Sequence, residues 1–278
     1  MNQKKSYAWN AKDYAQNSQN QFQWAKELIP KLKLEGNEHL LDIGCGDGKI
    51  AAELAKCLPN GNVVGIDSSA QMINLAKTTF PQETYPNLTF RLIDAQNMPF
   101  QEEFDLAFSN AALHWMVDQI SVLPGVQRSL KPQGRIMLQM AGRGNAKDVL
   151  DIFDELFILP QWKVYFDGFA FPYAFLGIEE YRALLSDAGS AALRVELFPK
   201  VMKFAGADRL AGWVRTTWLP FTERIPLKLR DVFVAQIVKR YLEAHPEDGE
   251  GVVQLGMMRL EVEAKKPYFQ NDSCMKNF

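Results

Sequence analysis

Leu40-Leu41-Asp42-Ile43-Gly44-Cys45-Gly46-Asp47-Gly48 runs from a short apolar stretch into three closely spaced glycines, and helical spacing from Lys49 to Cys57 follows directly. Strand, bend and helix are thus written in one segment. Glycine lets the backbone turn sharply and lets a ligand approach the main chain where a Cβ would collide. The helix beyond the bend points unpaired N–H groups at whatever lies there, an arrangement that suits a carboxylate or a phosphate. A dinucleotide-binding fingerprint, G-x-G-x-x-G counted from Gly44, needs its third glycine where Lys49 stands. A nicotinamide-dependent oxidoreductase is disfavoured on that ground.

Outward from this bend, strands and helices alternate. His39 to Ile43 reads as a strand and Phe22 to Leu32 as the helix before it. Val63 to Ile66, Leu88 to Ile93, Phe104 to Phe108 and Arg135 to Met140 read as further strands. Helical spacing at Met72 to Thr79 and Ile120 to Leu130 separates them, which implies a parallel sheet covered by helices. The pattern changes after Met140. A helix around Ala146 to Phe157 precedes an aromatic stretch, Trp162 to Phe175, which reads as a lid or cap. Ile178 to Ala188 then reads as a helix, Leu193 to Phe198 and Val252 to Ala264 as strands, and two helices (Asp208 to Thr217, Leu227 to Ala244) as an insertion between those strands.

The 278 residues, 47% hydrophobic, suffice for one large core or a core with an added layer. With 31 basic against 33 acidic side chains, no whole-protein field favours nucleic acid or an anionic membrane. Cys45, Cys57 and Cys274 form no CxxC pair, and His39, His114 and His245 are the only histidines, so neither a disulfide framework nor a metal site is indicated. Met1 to Asn20 lacks a secretory apolar stretch, and nowhere do about 18 apolar residues run together. A cytoplasmic protein is the expectation.

Each strand end carries a candidate. Val63-Val64-Gly65-Ile66-Asp67 ends in an acid some 20 residues beyond the first glycine, where a carboxylate accepts both hydroxyls of a ribose. Taken alone, Asp67 reads equally as a helix N-cap. Ser68 follows it instead of an arginine, so no 2′-phosphate is expected. Leu92-Ile93-Asp94-Ala95 ends the third strand, and Asn110-Ala111-Ala112-Leu113-His114-Trp115 follows the fourth.

D-x-G-x-G-x-G, spanning Asp42 to Gly48, resembles motif I of the class I S-adenosylmethionine-dependent methyltransferases. The resemblance implies a Rossmann-like α/β sheet, mostly parallel with its last strand antiparallel, with helices on both faces and a helical, aromatic cap. It implies S-adenosyl-L-methionine as cofactor, its methionine part held by the loop of Asp42, Gly44, Cys45 and Gly46. Asp67, Ser68 and Met72 would line the sugar side; Asp94 would accept from the adenine amino group, the Ala95 backbone would face the ring, and Asn110 would complete the set. Enzymes that methylate exocyclic amines of nucleic acids resemble one another in an Asn/Asp-Pro-Pro-aromatic signature at the fourth strand's end. Asn110-Ala111-Ala112-Leu113 lacks it, so base methylation is disfavoured and a small-molecule acceptor expected.

Beyond the cofactor half the chain resembles the trans-aconitate 2-methyltransferase group and its carboxyl-methylating relatives. The similarity rests on Trp9-Asn10 with Tyr14, Asn110-Ala111 with Trp115, Gly212-Trp213-Val214 with Pro220-Phe221, and Arg259-Leu260. It implies O-methylation of a carboxylate by in-line transfer. Trp9, Tyr14 and Trp115 then enclose the acceptor or pack between cap and sheet. Arg143, Arg215 and Arg259 are candidates to clamp an acceptor carboxylate, with Arg215 first because Trp213 and Trp218 flank it in sequence. His114 is either a base for a hydroxyl acceptor or a wall of the pocket. The ring-rich stretch leaves open an apolar acceptor methylated at carbon, nitrogen or phenolic oxygen, and a non-catalytic cofactor-binding module is the alternative of another class. The expected organisation is an N-terminal segment (1–35) over the cofactor site and a cofactor core (36–140). The remaining strands with helical insertions (141–264) follow, then a mobile tail (265–278).

Overall fold

The computed structural model describes residues 19–268. The proposed roles of Trp9 and Tyr14, and most of the expected tail, lie outside the described residues. Helix α1 (Gln19–Leu28) passes through a 3-10 turn (Ile29–Leu32) into β1 (His39–Ile43). Then follow α2 (Lys49–Lys56), β2 (Asn62–Asp67), α3 (Ala70–Thr79), β3 (Leu88–Leu92) and β4 (Phe104–Asn110). Helix α4 (Leu123–Ser129) leads to β5 (Leu130–Ala141), α5 (Lys147–Phe157), α6 (Pro160–Phe166), α7 (Ile178–Asp187) and β6 (Ala191–Ala205). Helices α8 (Ala207–Thr217), α9 (Leu219–Thr222) and α10 (Leu227–Ala244) precede β7 (Val252–Lys265).

The strands form one sheet in the order β3-β2-β1-β4-β5-β7-β6. Strands β1 to β5 pair in parallel, and β7 runs antiparallel to both its neighbours. Reversal of strand order beside β1 opens a crevice at the carboxyl ends of β1 and β4, where open α/β sheets take their ligands. One apolar layer, including Leu28, Leu54 and Phe90, packs under α1 to α3; another, including Val126, Tyr181 and Leu185, lies under α4 and α7. A third fills the space between α5, α6, α8 to α10 and the far ends of β6 and β7.

Two strand expectations need correction, while the aromatic stretch forms a packed cap. Its first part is helix α6, and Trp162, Phe166 and Tyr173 are buried among the rings of Phe157, Phe221 and Phe233. Strand β6 extends well past Phe198. β6 is the edge of the sheet, where the N–H missing at Pro199 is tolerated, and Met202 and Phe204 beyond it turn inward. Strand β5 likewise begins early, at Leu130. It passes Lys131 to Gly134 as a bulge, so that Phe104 faces Leu130 while Leu106 faces Arg135.

Tyr181 is fully buried on α7 with its hydroxyl unpartnered. A buried donor without an acceptor costs about 1 to 3 kcal/mol. Tyr181→Phe removes that group and keeps the ring, so it is expected to raise stability by about 1 kcal/mol. Urea denaturation checks it; a loss of stability would mean that the hydroxyl contributes.

Candidate active site

The glycine bend closes on backbone bonds: Gly44 and Cys45 N–H groups both donate to Ile66 O, at 2.8 and 3.0 Å. Gly44 has φ of +74° and packs so closely that a Cβ on it would lie 2.2 Å from Ala112 Cβ. Gly46, at φ +53°, is the opposite case, since a Cβ there would meet no atom of the described residues within 4 Å. Its hydrogen face is turned to open space. Asp67, at the end of β2, reaches back into the bend: Oδ2 accepts from Gly46 N at 3.1 Å and Oδ1 from Ser69 N at 2.8 Å. It does not cap α3, because Ser69 does so, accepting from the N–H of the buried Met72. Burial raises the Asp67 carboxyl above its usual range despite these N–H donors. Ser68 is exposed beside it.

Asp42 stands beneath the bend, buried, and its Oδ2 has no hydrogen-bond partner among the described residues. Burial, and secondarily the charge on Asp67, pushes this carboxyl up to about 7. Cys45 is buried alongside, and burial, with Asp42 and Asp67 adding to it, drives its thiol well up. At the end of β3, Asp94 is half-buried and accepts from Gln96 N at 3.0 Å, opening a 3-10 turn whose first residue, Ala95, is buried. Asn110 closes β4 opposite Gln139 of β5 and is buried. Asp42, Gly46, Asp67, Asp94 and Asn110 thus share one edge of the sheet.

A second cavity adjoins this edge on the β4 side. Ala111, held at φ +56°, turns the chain out of β4 and into the cavity wall. His114 and Trp115 follow on a 3-10 turn, and Met257 and Arg259 enter from β7. Trp213 and Thr217 enter from α8, and Trp24 from α1. The space is narrow, about 40 Å³. Arg259 is buried, with its guanidinium 5.2 Å from the Trp24 ring centre, within cation–π range. His114 is buried, its Nδ1 unpartnered; burial first and the Arg259 charge second push its pKa well below the usual value, so it is neutral at physiological pH. Its carbonyl accepts from Ala174 N at 2.9 Å, and Tyr173 Oη donates to Thr217 O at 3.0 Å, pinning the ring-rich segment to both β4 and α8.

Among the three arginines suggested by sequence, only Arg259 lines this cavity. Arg143 is largely exposed and paired with Glu180 at the start of α7. Arg215 is exposed on the outer side of α8 and lines the groove towards α10. Trp213, two positions earlier, points to the opposite side of the helix, and Trp218 lies just past the end of α8, where the chain leaves helical geometry and turns inward. Trp218 stands behind the cavity, 5.8 Å from Trp213 between ring centres, and the indole nitrogens of both are buried without acceptors. Trp24, Met202 and Met257 carry no local signal in the sequence; they meet Arg259 or its cavity only through packing of distant elements, which local spacing does not record.

The bend with space over Gly46, the orphan carboxylate oxygen of Asp42 and the acid ending β2 fit a ligand that carries an amino group and a sugar. With the 3-2-1-4-5-7-6 strand order they define a class I S-adenosylmethionine-dependent methyltransferase. Comparison with known proteins agrees, and the chain belongs to that family: a methyltransferase-domain profile matches residues 34–157. An uncharacterized methyltransferase of Schizosaccharomyces pombe is 36% identical over 187 residues, covering 65% of this chain and 70% of the relative. The trans-aconitate 2-methyltransferase of Variovorax paradoxus is 28% identical over 269 residues, covering 93% of this chain and 98% of the relative. Phosphoethanolamine N-methyltransferase 2 of Haemonchus contortus, solved with S-adenosyl-L-methionine, superposes with TM-score 0.58 at 17% identity, covering 93% of this chain and 57% of that one. The protein is an enzyme of this class, and S-adenosyl-L-methionine is its cofactor.

Proposed function

We propose that the enzyme methylates a carboxylate oxygen of a small-molecule acceptor. The observation that carries this reading is Arg259: a buried guanidinium at the wall of a narrow cavity beside the cofactor edge. The relationship to trans-aconitate 2-methyltransferases supports it. When bound, S-adenosyl-L-methionine supplies a sulfonium-borne methyl group open to displacement by an incoming oxygen. Asp42 would face the amino group, Asp67 would take the ribose hydroxyls, and Asp94 with the Ala95 backbone would border the adenine. A carboxylic acid, with pKa about 4, is already ionised at neutral pH, so no base is required. Arg259 orients the anion by parallel N–H donation, Trp24 and Trp115 exclude water around it, and positioning supplies most of the acceleration. His114 acts as a neutral wall; a pKa well below its usual value makes it a weak base for a phenol or alcohol. Among the described residues Cys45 and Cys57 are free thiols, and no helix is long and apolar enough to cross a membrane.

Incubation with methyl-labelled cofactor and a panel of organic acids, amines and phenols tests the reaction. A methyl ester releases its label as methanol in alkali, and that is the expected product. Label found only in alkali-stable amines, ethers or carbon-methylated products would overturn the reading.

The Asp42 assignment predicts a pH dependence. Its carboxyl, raised to about 7, must be ionised to face an ammonium group, so binding below pH 7 costs a proton. Affinity for S-adenosylhomocysteine is therefore expected to rise with pH, about tenfold from pH 6 to pH 8. Asp42→Asn flattens the profile. Titration calorimetry at both pH values measures it, and equal affinities for the native protein would remove the contact.

A further inference from the structure

We infer that Trp213 is a specificity-determining residue of this reaction: its indole N–H donates to an oxygen of the acceptor inside the cavity between β4, β7 and α8. This rests on the proposed carboxyl methylation and adds to it a donor that reads the reacting group. Helix α8 buries one face, formed by Leu210, Trp213 and Val214, and leaves Trp213 only 1% exposed. That face brings the indole to the cavity wall, beside Ala111, His114 and Thr217. Nε1 is buried there with no acceptor among the described residues.

A buried N–H without a partner costs about 1 to 3 kcal/mol, so folded proteins rarely keep one, and a buried tryptophan usually finds an acceptor. Trp162, in the same apolar layer, shows the ordinary solution: its Nε1 donates to Gln236 Oε1 at 2.8 Å. Trp213 has instead a cavity of about 40 Å³ beside it, room for one small oxygen-bearing group. Trp218 also lacks an acceptor, but that ring does not line the cavity. The Trp213 ring is held in direction by Phe204 at 5.7 Å and Trp218 at 5.8 Å between ring centres. The end of α8 is held as well, since Tyr173 Oη donates to Thr217 O. A donor fixed in this way is set before the acceptor arrives, and little ordering is lost on binding. An indole N–H donates and cannot accept, so a carboxylate or carbonyl oxygen satisfies it, whereas an ammonium or hydrocarbon group leaves it unpaired. A site whose buried donor is left without its partner discriminates strongly against such molecules.

The probe is the acid methylated fastest in the panel, with trans-aconitate, citrate, phenylacetate and octanoate included, scored as alkali-labile label. Trp213→Phe keeps a ring and removes the donor. Its KM for that acid is expected to rise about tenfold, with kcat little changed and S-adenosylhomocysteine affinity unaltered. Trp218→Phe removes a buried indole N–H of the same layer that does not line the cavity, and its KM should stay near the native value. The native enzyme gives a second readout that needs no folded variant at position 213. With nitrogen-15 tryptophan and S-adenosylhomocysteine bound, the six indole N–H signals are assigned from single Trp→Phe replacements, that of Trp213 by elimination where needed. The Trp213 signal is expected to move downfield as the probe acid saturates the site. An unmoved Trp213 signal at saturation, or a native KM in Trp213→Phe, would overturn the inference while leaving carboxyl methylation intact. Equal rises in KM for the two variants would assign the effect to packing and overturn it too. No alkali-labile label in any acid would overturn both the inference and the carboxyl reading.

Discussion

Asp67→Ala is expected to weaken S-adenosylhomocysteine binding by about a hundredfold or more, since two hydrogen bonds to a carboxylate contribute about 1.5 to 3 kcal/mol each. The loss has two parts. The sugar hydroxyls lose their acceptor, and the bend loses the tie from Gly46 N to Asp67 Oδ2 that joins β2 to the loop after β1. Asp67→Asn separates them: it retains one acceptor oxygen for the loop or the sugar, not both, and should fall between alanine and the native enzyme. The melting temperature, measured beside the calorimetry, reports the structural part. Native-like affinity in a folded Asp67→Ala protein would contradict the placement of the sugar at the end of β2.

The second large effect concerns two glycines a residue apart with opposite surroundings. Gly44→Ala places a methyl 2.2 Å from Ala112 Cβ and forces alanine to φ +74°. Clash and backbone strain together should cost about 2 to 4 kcal/mol, a fall in Tm on the order of 10 °C, and cofactor binding should be lost with it. Adding Ala112→Gly removes the obstructing methyl and should restore part of the stability, leaving the strain. Gly46→Ala meets no atom of the described residues, so it should cost only about 1 kcal/mol of stability. Its methyl nevertheless projects into the space where the cofactor approaches the main chain, so binding should fall sharply while Tm barely moves. Thermal melts with and without S-adenosylhomocysteine distinguish the two. Retained stabilisation by ligand in Gly46→Ala would show that the open side of the bend is not the ligand's side.

These contrasts indicate why the cofactor half is legible in the sequence and the acceptor half is not. Strand β1, the glycine bend and the acid ending β2 lie within a short stretch of chain, and local rules of turn and periodicity govern each. The cavity proposed for the acceptor is assembled from Trp24, His114, Trp213 and Arg259, which lie far apart in sequence. Arg215 stands out through its adjacent tryptophans, yet the phase of α8, with Leu210, Trp213 and Val214 buried, turns it outward. Arg259 is harder to rank. Strand β7 has neighbours on both sides and buried residues at every position from Arg259 to Val262, so the alternation that marks an inward residue is absent there. The N-cap reading of Asp67 fails for a local reason, since the helix begins at Ala70 and the capping position before it is Ser69.

The long antiparallel pairing of β6 with β7 begins at Ala205 opposite Val252, the two residues that bracket helices α8 to α10. The helical excursion therefore departs from and returns to a single point on the sheet. Its length and side chains are free to diverge in evolution without shifting any strand's register. Helix α8 can thus change the residues it lends to the cavity while the strand ends around Gly46 and Asp67 stay as they are.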